Sequence, residues 1–335
     1  MNRLKDIQLA DISRFRGEQM GIAMLLIFLF HVSLPRQDAF FGLHRIGNIG
    51  VDLFLFLSGI GLWFSWVKRP EWKSFYKRRF LRIYPAWLIV ASLYYIPRFT
   101  GGSWWAWIDL FGQLGFNWEF WIRDELTFWY IPAIMMLYLF APPYMALIRR
   151  HPVYRWIPVA MIVWCVIVQY IPVIHQSVGH IEIFWSRVPI FFIGINMGAH
   201  VRKKESVDGS AIWLILFLFV MTLASCIYLE QARHGRFPLF IERMVYIPLT
   251  VTAVLLFCVL LRHVPGWLNR FFRFVGVLSL ECYLIHIHFV MVHIPKSWSY
   301  WPTFLACVAV TLPLAWVLSK IVDRISQKLD SIIPE

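Results

Sequence analysis

Charged side chains are scarce in this chain of 335 residues. Asp, Glu, Lys and Arg together make up 15% of it, whereas hydrophobic residues make up 59%. Soluble proteins average about 25% charged and roughly 45–50% apolar residues. No long polar block is present that could form a separate soluble domain. The composition therefore predicts a polytopic, all-α membrane protein with one integral-membrane domain over residues 1–335.

Several local patterns are also missing. The five cysteines form no Cys-x-x-Cys pair and lie in apolar runs, which predicts buried thiols rather than disulfides or a zinc site. No glycine-rich phosphate loop is present, which argues against hydrolysis of nucleoside triphosphates. The first apolar run ends without a small-residue cleavage site, so we expect a retained first span. No permanently bound cofactor and no metal are expected.

Long apolar runs are what the chain has in abundance. A membrane-spanning helix needs about 20 mostly apolar residues. Ten candidates lie near residues 18–35, 46–67, 83–98, 126–148, 156–174, 183–200, 211–229, 239–262, 272–294 and 301–322. The pattern thus predicts a bundle of about ten transmembrane helices, with both termini on one side of the membrane.

The net charge of +13 is distributed unevenly over the connections between these runs. Most of the 32 Lys and Arg residues fall on the side of the two termini. The positive-inside rule then predicts a multi-pass protein of the cell membrane with both termini in the cytoplasm. This explanation of the charge is preferred to binding of nucleic acid.

One connection, residues 99–125, is long and rich in tryptophan, and is expected to be an outer loop. Aromatic residues at this level commonly anchor a protein at the membrane interface. The alternative is a sugar-stacking platform, with the acidic residues accepting hydrogen bonds from hydroxyl groups. The residues concerned are Trp104, Trp105, Trp107, Trp118, Trp121, Asp109, Glu119, Asp124 and Glu125.

Two ionisable residues lie within the first two apolar runs. His31 ends the first run, and Asp52 lies early in the second. Because the connection between the runs is short, the helices should be antiparallel neighbours with both residues at similar depth. A carboxylate beside a histidine would orient it as a general base. The plainer interpretation, a packed histidine and an unrelated helix-capping aspartate, has equal support from the pattern.

A basic run follows the second span. Its residues are Lys77, Arg78, Arg79 and Arg82. As a positive charge cluster that sets the orientation of the neighbouring spans, the run needs no further explanation. Arg79 and Arg82, however, are three apart on a helix and project to one side. Paired guanidinium groups bind phosphate bidentately, which a charge bias alone does not require.

The ninth run is unusually polar, which indicates a helix that faces a cavity or the bundle interior. Histidines seven residues apart lie about 10.5 Å apart along a helix axis, so a metal site is disfavoured. The polar residues of this run are Ser279, Glu281, Tyr283, His286, His288 and His293.

Taken together, these segments resemble the bacterial acyltransferase 3 family of membrane-bound O-acyltransferases. The similarity covers nearly the whole chain in the right order. The matching pieces are His31, Gly50-Val-Asp-Leu-Phe-Leu-Phe-Leu-Ser-Gly59, Phe75-Tyr-Lys-Arg-Arg-Phe-Leu-Arg-Ile-Tyr-Pro85, Phe128-Trp-Tyr-Ile-Pro132 with Tyr138, Phe191-Phe-Ile-Gly194 and Gly276-Val-Leu-Ser-Leu-Glu-Cys-Tyr-Leu-Ile-His286.

The resemblance implies a ten-helix enzyme that transfers an acyl group, usually acetyl, from cytoplasmic acyl-CoA to a hydroxyl, commonly on a carbohydrate. It implies that His31 is catalytic and that the Arg79/Arg82 pair is important. The family commonly has arginine eleven residues before the histidine, where this chain has Met20. Arg16, one turn earlier near the same face, is expected to take its place, and a divergent subgroup is indicated.

The expected reaction is acetylation of a hydroxyl on a cell-surface or exported carbohydrate. His31, oriented by Asp52, would deprotonate the acceptor hydroxyl or briefly carry the acyl group. Acyl-CoA and the carbohydrate are the expected partners. The CoA phosphates are expected to contact Arg16, Lys77, Arg78, Arg79 and Arg82. Further side chains expected at the substrate or the oxyanion are Ser58, Glu125, Trp129, Tyr283 and His286.

The alternative is a transporter or flippase of a saccharide or lipid-linked saccharide, in which the polar residues line a pathway without covalent chemistry. A purely structural role is disfavoured, because buried His31 and Asp52 are costly in a membrane and a scaffold does not need them. Transfer of label from acetyl-CoA to glycan separates the enzyme from the transporter.

Overall fold

In a computed structural model, residues 6–233 and 237–333 are described, and this part of the chain is almost entirely helical. Its one strand pairing is antiparallel and joins β1 (Ile7–Gln8) to β2 (Ser206–Val207). The predicted all-α fold is confirmed. The short pairing ties the N-terminal segment to the connection that follows residue 202.

The helices follow one another with short connections. They are α1 (Ala10–Arg14), α2 (Arg16–His31), α3 (Phe41–Arg45), α4 (Ile49–Lys68), α5 (Trp72–Tyr95), α6 (Trp104–Phe116), α7 (Glu119–Ile122), α8 (Tyr130–Arg150), α9 (Ile157–Tyr170), α10 (Pro172–Val178), α11 (Glu182–Trp185), α12 (Val188–Arg202), α13 (Ile212–Gln231), α14 (Leu239–Leu261), α15 (Gly266–Val277), α16 (Ser279–Ile285) and α17 (Tyr300–Ile332).

Seven helical segments of the described chain are each long and apolar enough to cross a membrane. They are Phe41–Lys68, Trp72–Arg98, Tyr130–Arg150, Pro152–Tyr170, Gly209–Gln231, Phe240–Leu261 and Tyr300–Ile332. Two bent pairs raise the number to nine, namely Pro172–Trp185 with Val188–Arg202 and Gly266–Val277 with Ser279–His293. With the shorter α2, these segments are consistent with the predicted bundle of about ten.

Close backbone contact holds the centre of the bundle together. Helix α2 packs along α15, and α4 packs along α12. A Cβ atom at Gly21 would overlap the backbone of Phe272 in α15, and one at Gly59 would overlap the backbone of Phe191 in α12. Small residues at such crossings let membrane helices approach closely. The packing fixes α2 and α4, which carry His31 and Asp52, against separate partners.

The two ends of the bundle differ in character. We call the end at which α5 begins the basic end, because α5 carries Arg78, Arg79 and Arg82 there. Helix α2 begins at the same end with Arg16 and runs about 22 Å along its axis to His31, at 1.5 Å per residue. His31 therefore lies towards the opposite end, which we call the far end.

The far end carries residues 99–125, which contain α6 and α7 rather than an unstructured loop. The side chains of Trp104 and Trp105 are 74% and 71% exposed, whereas the polar Gln113 is buried. Gln113 donates a hydrogen bond to Glu119. Apolar side chains thus face outward on α6, an arrangement typical of a helix at a membrane interface. The choice between anchor and sugar platform stays a prediction.

Candidate active site

A cavity of about 1300 Å³ runs through the described bundle. At the basic end it is lined by Arg16, Arg78, Arg79 and Arg82, and further in by His31. Residues of α2, α4, α5, α8, α14, α16 and α17 contribute to its wall. The predicted histidine and the predicted basic run, separated by more than forty residues in sequence, therefore share one space.

Two guanidinium groups at the basic end have no carboxylate partner within residues 6–233 and 237–333. Arg79 lies near the rings of Phe75 and Tyr138, at 5.7 and 5.8 Å from their centroids. Arg16 donates from Nε to the backbone oxygen of Leu57 at 3.0 Å. Because both cations line the cavity without a neutralising acid, they form an attractive site for an anion.

Arg82 differs from Arg79, although the two are one helical turn apart. Its Nη1 lies 3.0 Å from Glu281 Oε1, and Glu281 is completely buried. Its Nη2 also donates to the backbone oxygen of Val277 at 3.3 Å. Arg82 lines the cavity, but its charge is already paired. The two arginines of the predicted phosphate-binding pair therefore have different surroundings.

The other two residues of the basic run also separate. Arg78 lines the cavity and donates to Ser74 and, at 3.4 Å, to Ser65. Lys77 points away from the cavity to the end of α17, where it contacts the Asp330 carboxylate at 2.8 Å and the Ile333 backbone oxygen at 2.6 Å. Lys77 thus contacts the C-terminal helix in this arrangement, and its expected contact with CoA phosphate stays a prediction.

His31 contacts another histidine where a carboxylate was predicted. Its Nδ1 lies 2.9 Å from the backbone oxygen of Ile27 and 3.3 Å from Nε2 of His286. The two rings stand edge to face, with centroids 5.0 Å apart. His31 faces the cavity, while His286 is completely buried beside it. The surroundings of His31 thus come from α2 itself and from the polar ninth run.

The predicted contact between Asp52 and His31 is wrong. Asp52 is 1% exposed, and its Oδ2 lies 3.1 Å from Nε of Arg187, which is equally buried. Arg187 also donates to Oδ1 of Asn48 at 3.0 Å. The physical reason is the direction of the side chain: Asp52 turns towards α12, against which α4 packs, and away from α2. Asp52 neutralises a buried arginine.

Sequence reasoning missed this buried polar cluster. Besides Asp52 and Arg187 it includes Glu242 and Arg243, whose charged groups lie 3.4 Å apart and are almost fully buried. Arg243 and Asn48 line the cavity. Arg187, Glu242 and Arg243 lie within or at the edge of apolar runs, and an ionisable residue there is itself a signal of function or pairing. That signal could have found them.

The remaining predicted residues lie around the same cavity. Its lining includes Ser58, Glu125, Trp129 and Tyr283. The hydroxyl oxygen of Tyr283 accepts a hydrogen bond from the backbone N–H of Tyr130 at 3.1 Å, which leaves its own O–H available as a donor. Glu125 accepts hydrogen bonds from the backbone and side chain of Thr127.

His286 does not have the geometry of an oxyanion donor. Its Nδ1 lies 3.0 Å from the backbone oxygen of Cys282 and 2.9 Å from that of Tyr283. The ring therefore uses its N–H on these carbonyl groups and presents its Nε2 lone pair to His31. These contacts engage the one proton of the neutral ring and so disfavour the predicted donation by His286 to the oxyanion.

Met20 and Arg16 both line the cavity on the face of α2 that leads to His31. The Arg16 side chain passes so close to Gly61 of α4 that a Cβ atom there would overlap its guanidinium group. Arg16 thus reaches the cavity from one turn before Met20. Within the described residues, no group of three or more His, Cys, Asp or Glu side chains could hold a metal ion.

The fold and the cavity define a class: a multi-pass membrane protein with a histidine inside the bundle and a basic opening at one end. The family model described as "Acyltransferase domain", of the acyltransferase 3 family, matches residues 21–320. The chain therefore belongs to the acyltransferase 3 family, and this family assignment makes it a membrane acyltransferase.

A curated relative is the "Regulator of hypoxia-inducible factor 1" of Caenorhabditis elegans. It is 28% identical over 192 residues, which cover 45% of this chain and 36% of that relative. The chain thus spans well under half the length of this relative. No solved structure matches the chain.

Proposed function

We propose that the protein transfers an acyl group, in the first instance acetyl, from cytoplasmic acyl-CoA to a hydroxyl group of a cell-surface or exported carbohydrate. The observation that carries this proposal is the single cavity that contains both the unpaired arginines and His31. A donor held by its phosphates at one end can extend its reactive end to the histidine without leaving the protein.

The donor end of the cavity suits CoA. Arg16 and Arg79 offer two guanidinium groups that have no acidic partner among the described residues, and such groups bind phosphate bidentately. Arg78 lies beside them on the cavity wall. Apolar side chains such as those of Ile27 and Ile83 also line the cavity, and they suit a pantetheine arm. The basic end faces the cytoplasm in this proposal, in agreement with the positive-inside rule.

His31 supplies the base. The acceptor oxygen attacks the thioester carbonyl carbon, the new C–O bond forms, and the C–S bond breaks. The hydroxyl proton passes to Nε2 of His31 and from there to the departing sulfur, so that the products are an ester and CoA with a free thiol. Tyr283 lines the cavity, and its hydroxyl oxygen accepts a hydrogen bond from Tyr130. In this proposal its O–H donates to the tetrahedral oxyanion.

The acceptor enters from the far end in this proposal. Glu125 and Trp129 line that part of the cavity and offer a hydrogen-bond acceptor and an aromatic face. These are groups with which proteins commonly contact the hydroxyl groups and apolar faces of other molecules. The proposal places the acceptor hydroxyl between His31 and Glu125, opposite the CoA phosphates.

The test uses membranes from cells that produce the protein and [14C]acetyl-CoA. Label is expected in the glycan fraction with the wild-type protein and not with His31→Ala, because the base is lost. His293→Ala is the matched control, since this exposed histidine does not line the cavity. Equal labelling by His31→Ala would remove His31 from the mechanism. Absence of label with every variant would favour transport of a saccharide without covalent chemistry.

A further inference from the structure

His31, which lines the cavity, and the buried His286 beside it form a pair with a defined direction. His286 is completely buried, packs against the ring of Phe28 at a centroid distance of 5.2 Å, and places its Nε2 3.3 Å from Nδ1 of His31. His286 comes from a π-helical segment, His286–Val290, which directly follows α16. Such local departures from the α-helix frequently occur at functional sites.

The hydrogen-bond partners fix the proton on each ring. Nδ1 of His286 faces the carbonyl oxygens of Cys282 and Tyr283, so it carries the proton and Nε2 is left with a lone pair. Nδ1 of His31 faces the carbonyl oxygen of Ile27 and that lone pair, so it also carries a proton. Both partners of His31 are acceptors. Its Nε2 is consequently unprotonated and free to react.

We propose that His286 is the positioning residue of His31. Its Nε2 accepts a hydrogen bond from Nδ1–H of His31, holds the ring in the tautomer with an unprotonated Nε2, and stabilises the imidazolium that forms when Nε2 takes the proton of the acceptor. This inference rests on the proposed function and deepens it. In many enzymes a carboxylate orients the catalytic histidine and stabilises its imidazolium form; here the neutral imidazole of His286 is the acceptor instead.

The surroundings of His31 explain why this acceptor matters. The side chains other than His286 whose charges act on His31 belong to Arg45, His44 and His288. None of them is a carboxylate. Asp52, the acidic residue of the neighbouring helix α4, is engaged with Arg187. Nε2 of His286 and the Ile27 carbonyl are therefore the groups that can share the positive charge on His31.

The experiment compares substitutions at position 286 that differ in where they place an acceptor. In His286→Gln, the amide oxygen can occupy the place of Nε2, whereas in His286→Asn it is one bond shorter and occupies the place of Nδ1. His286→Leu has no acceptor. His293→Leu, at an exposed position in the turn Met291–His293 that follows this segment, is the matched control. Each purified protein is assayed for kcat and for KM with [14C]acetyl-CoA.

We expect His286→Gln to retain activity near that of the wild-type protein. His286→Asn and His286→Leu should lower kcat about 10- to 100-fold, the effect of losing one hydrogen bond to a charged group. KM for acetyl-CoA should change little, since His286 does not contact the donor. Wild-type kcat in His286→Leu, or equal loss in the Gln and Asn variants, would overturn the proposal.

A second readout does not depend on activity. Nitrogen-15 NMR of the histidine-labelled protein in lipid bilayers reports the tautomer of each ring, and the difference from His31→Gln assigns the signal of His31. We expect the proton on Nδ1. A proton on Nε2 would overturn the positioning proposal even if transfer occurs. Conversely, an inactive wild-type protein with the expected tautomer would count against the proposed function alone.

Discussion

The ion pair between Asp52 and Arg187 lies in the interior of the molecule, where both side chains are 1% exposed. Oδ1 of Asp52 has no hydrogen-bond partner in the described residues, so the pair is only partly satisfied. Removal of one partner from a buried pair leaves an uncompensated charge, whereas removal of both is often nearly neutral. At this position the main contribution of Asp52 is therefore to stability.

The first residue-scale prediction concerns this pair. Asp52→Ala should destabilise the purified protein by about 3–5 kcal/mol, because Arg187 is left buried and charged. The measurement is the midpoint of thermal unfolding in detergent. The double variant Asp52→Leu/Arg187→Met should recover most of the loss. An Asp52→Ala protein of unchanged stability that has lost acetyl transfer would instead place Asp52 in the chemistry.

The second residue-scale prediction separates the two arginines of the basic run. Arg79→Ala should raise KM for acetyl-CoA about tenfold or more with little change in stability, since its guanidinium neutralises no acid in the part of the chain that the structure describes. Arg82→Ala should lower the unfolding midpoint, because it leaves the buried carboxylate of Glu281 without its cation. Both parameters are measured on the same purified preparations.

The control for these two variants is Arg149→Ala. Arg149 is an exposed residue near the end of α8, at the same end of the bundle as Arg79, and does not line the cavity. Glu281→Gln combined with Arg82→Ala should restore stability, since the neutral amide needs no cation. If Arg79→Ala leaves KM unchanged while Arg82→Ala raises it at normal stability, the roles assigned to the two arginines are reversed.

At this scale the sequence identified the residues better than their partners. His31, Asp52 and the basic run were recognisable because charged and polar groups are costly in apolar segments. The partner of Asp52 was not, since it depends on the rotation of α4 and on Arg187, 135 positions away. The proposed role of His286 likewise depends on the carbonyl groups of Cys282 and Tyr283, whose directions cannot be predicted from the sequence.

At the scale of elements, most membrane-spanning helices coincide with the apolar runs of the sequence. Where the observed helix bounds differ from the predicted ones, the difference has a physical cause. Helix α5 begins at Trp72, before the predicted start at residue 83, because its first turns are basic and escape a hydropathy criterion. The ninth span is bent by 61° at the break between α15 and α16. Glu281 and His286 of this span are buried, whereas Ser279 and Tyr283 line the cavity, a division that the seven-residue spacing did not predict.

The element-scale prediction tests the close helix crossing of α4 and α12. Gly59→Leu should prevent folding or strongly lower the unfolding midpoint, because the new side chain would meet the backbone of Phe191. Gly115→Ala, in α6, is the control, since a Cβ atom there meets nothing within 4 Å. We expect the control to be as stable as the wild-type protein. Normal folding of Gly59→Leu would show that the helices do not approach so closely.

At the scale of the whole molecule, the proposed function depends on a cavity that is continuous from the arginines to His31. The cavity wall combines residues from the first and last helices, so its existence could not be read from any segment of the sequence. The sequence identified the imidazole of His31 and, about 22 Å away along α2, the guanidinium group of Arg16. Only the packing of the bundle shows that the space between them is open.

The central claim is that this space holds acyl-CoA with its phosphates at Arg79 and its acyl group at His31. The most direct measurement is an electron cryomicroscopy structure with a thioether analogue of acetyl-CoA, which cannot transfer its acyl group. The account predicts phosphate oxygens in hydrogen-bond contact with Arg16 and Arg79, and the carbonyl carbon about 4 Å or less from Nε2 of His31. An analogue bound with its acyl end outside the cavity, or with its phosphates away from both arginines, would contradict it.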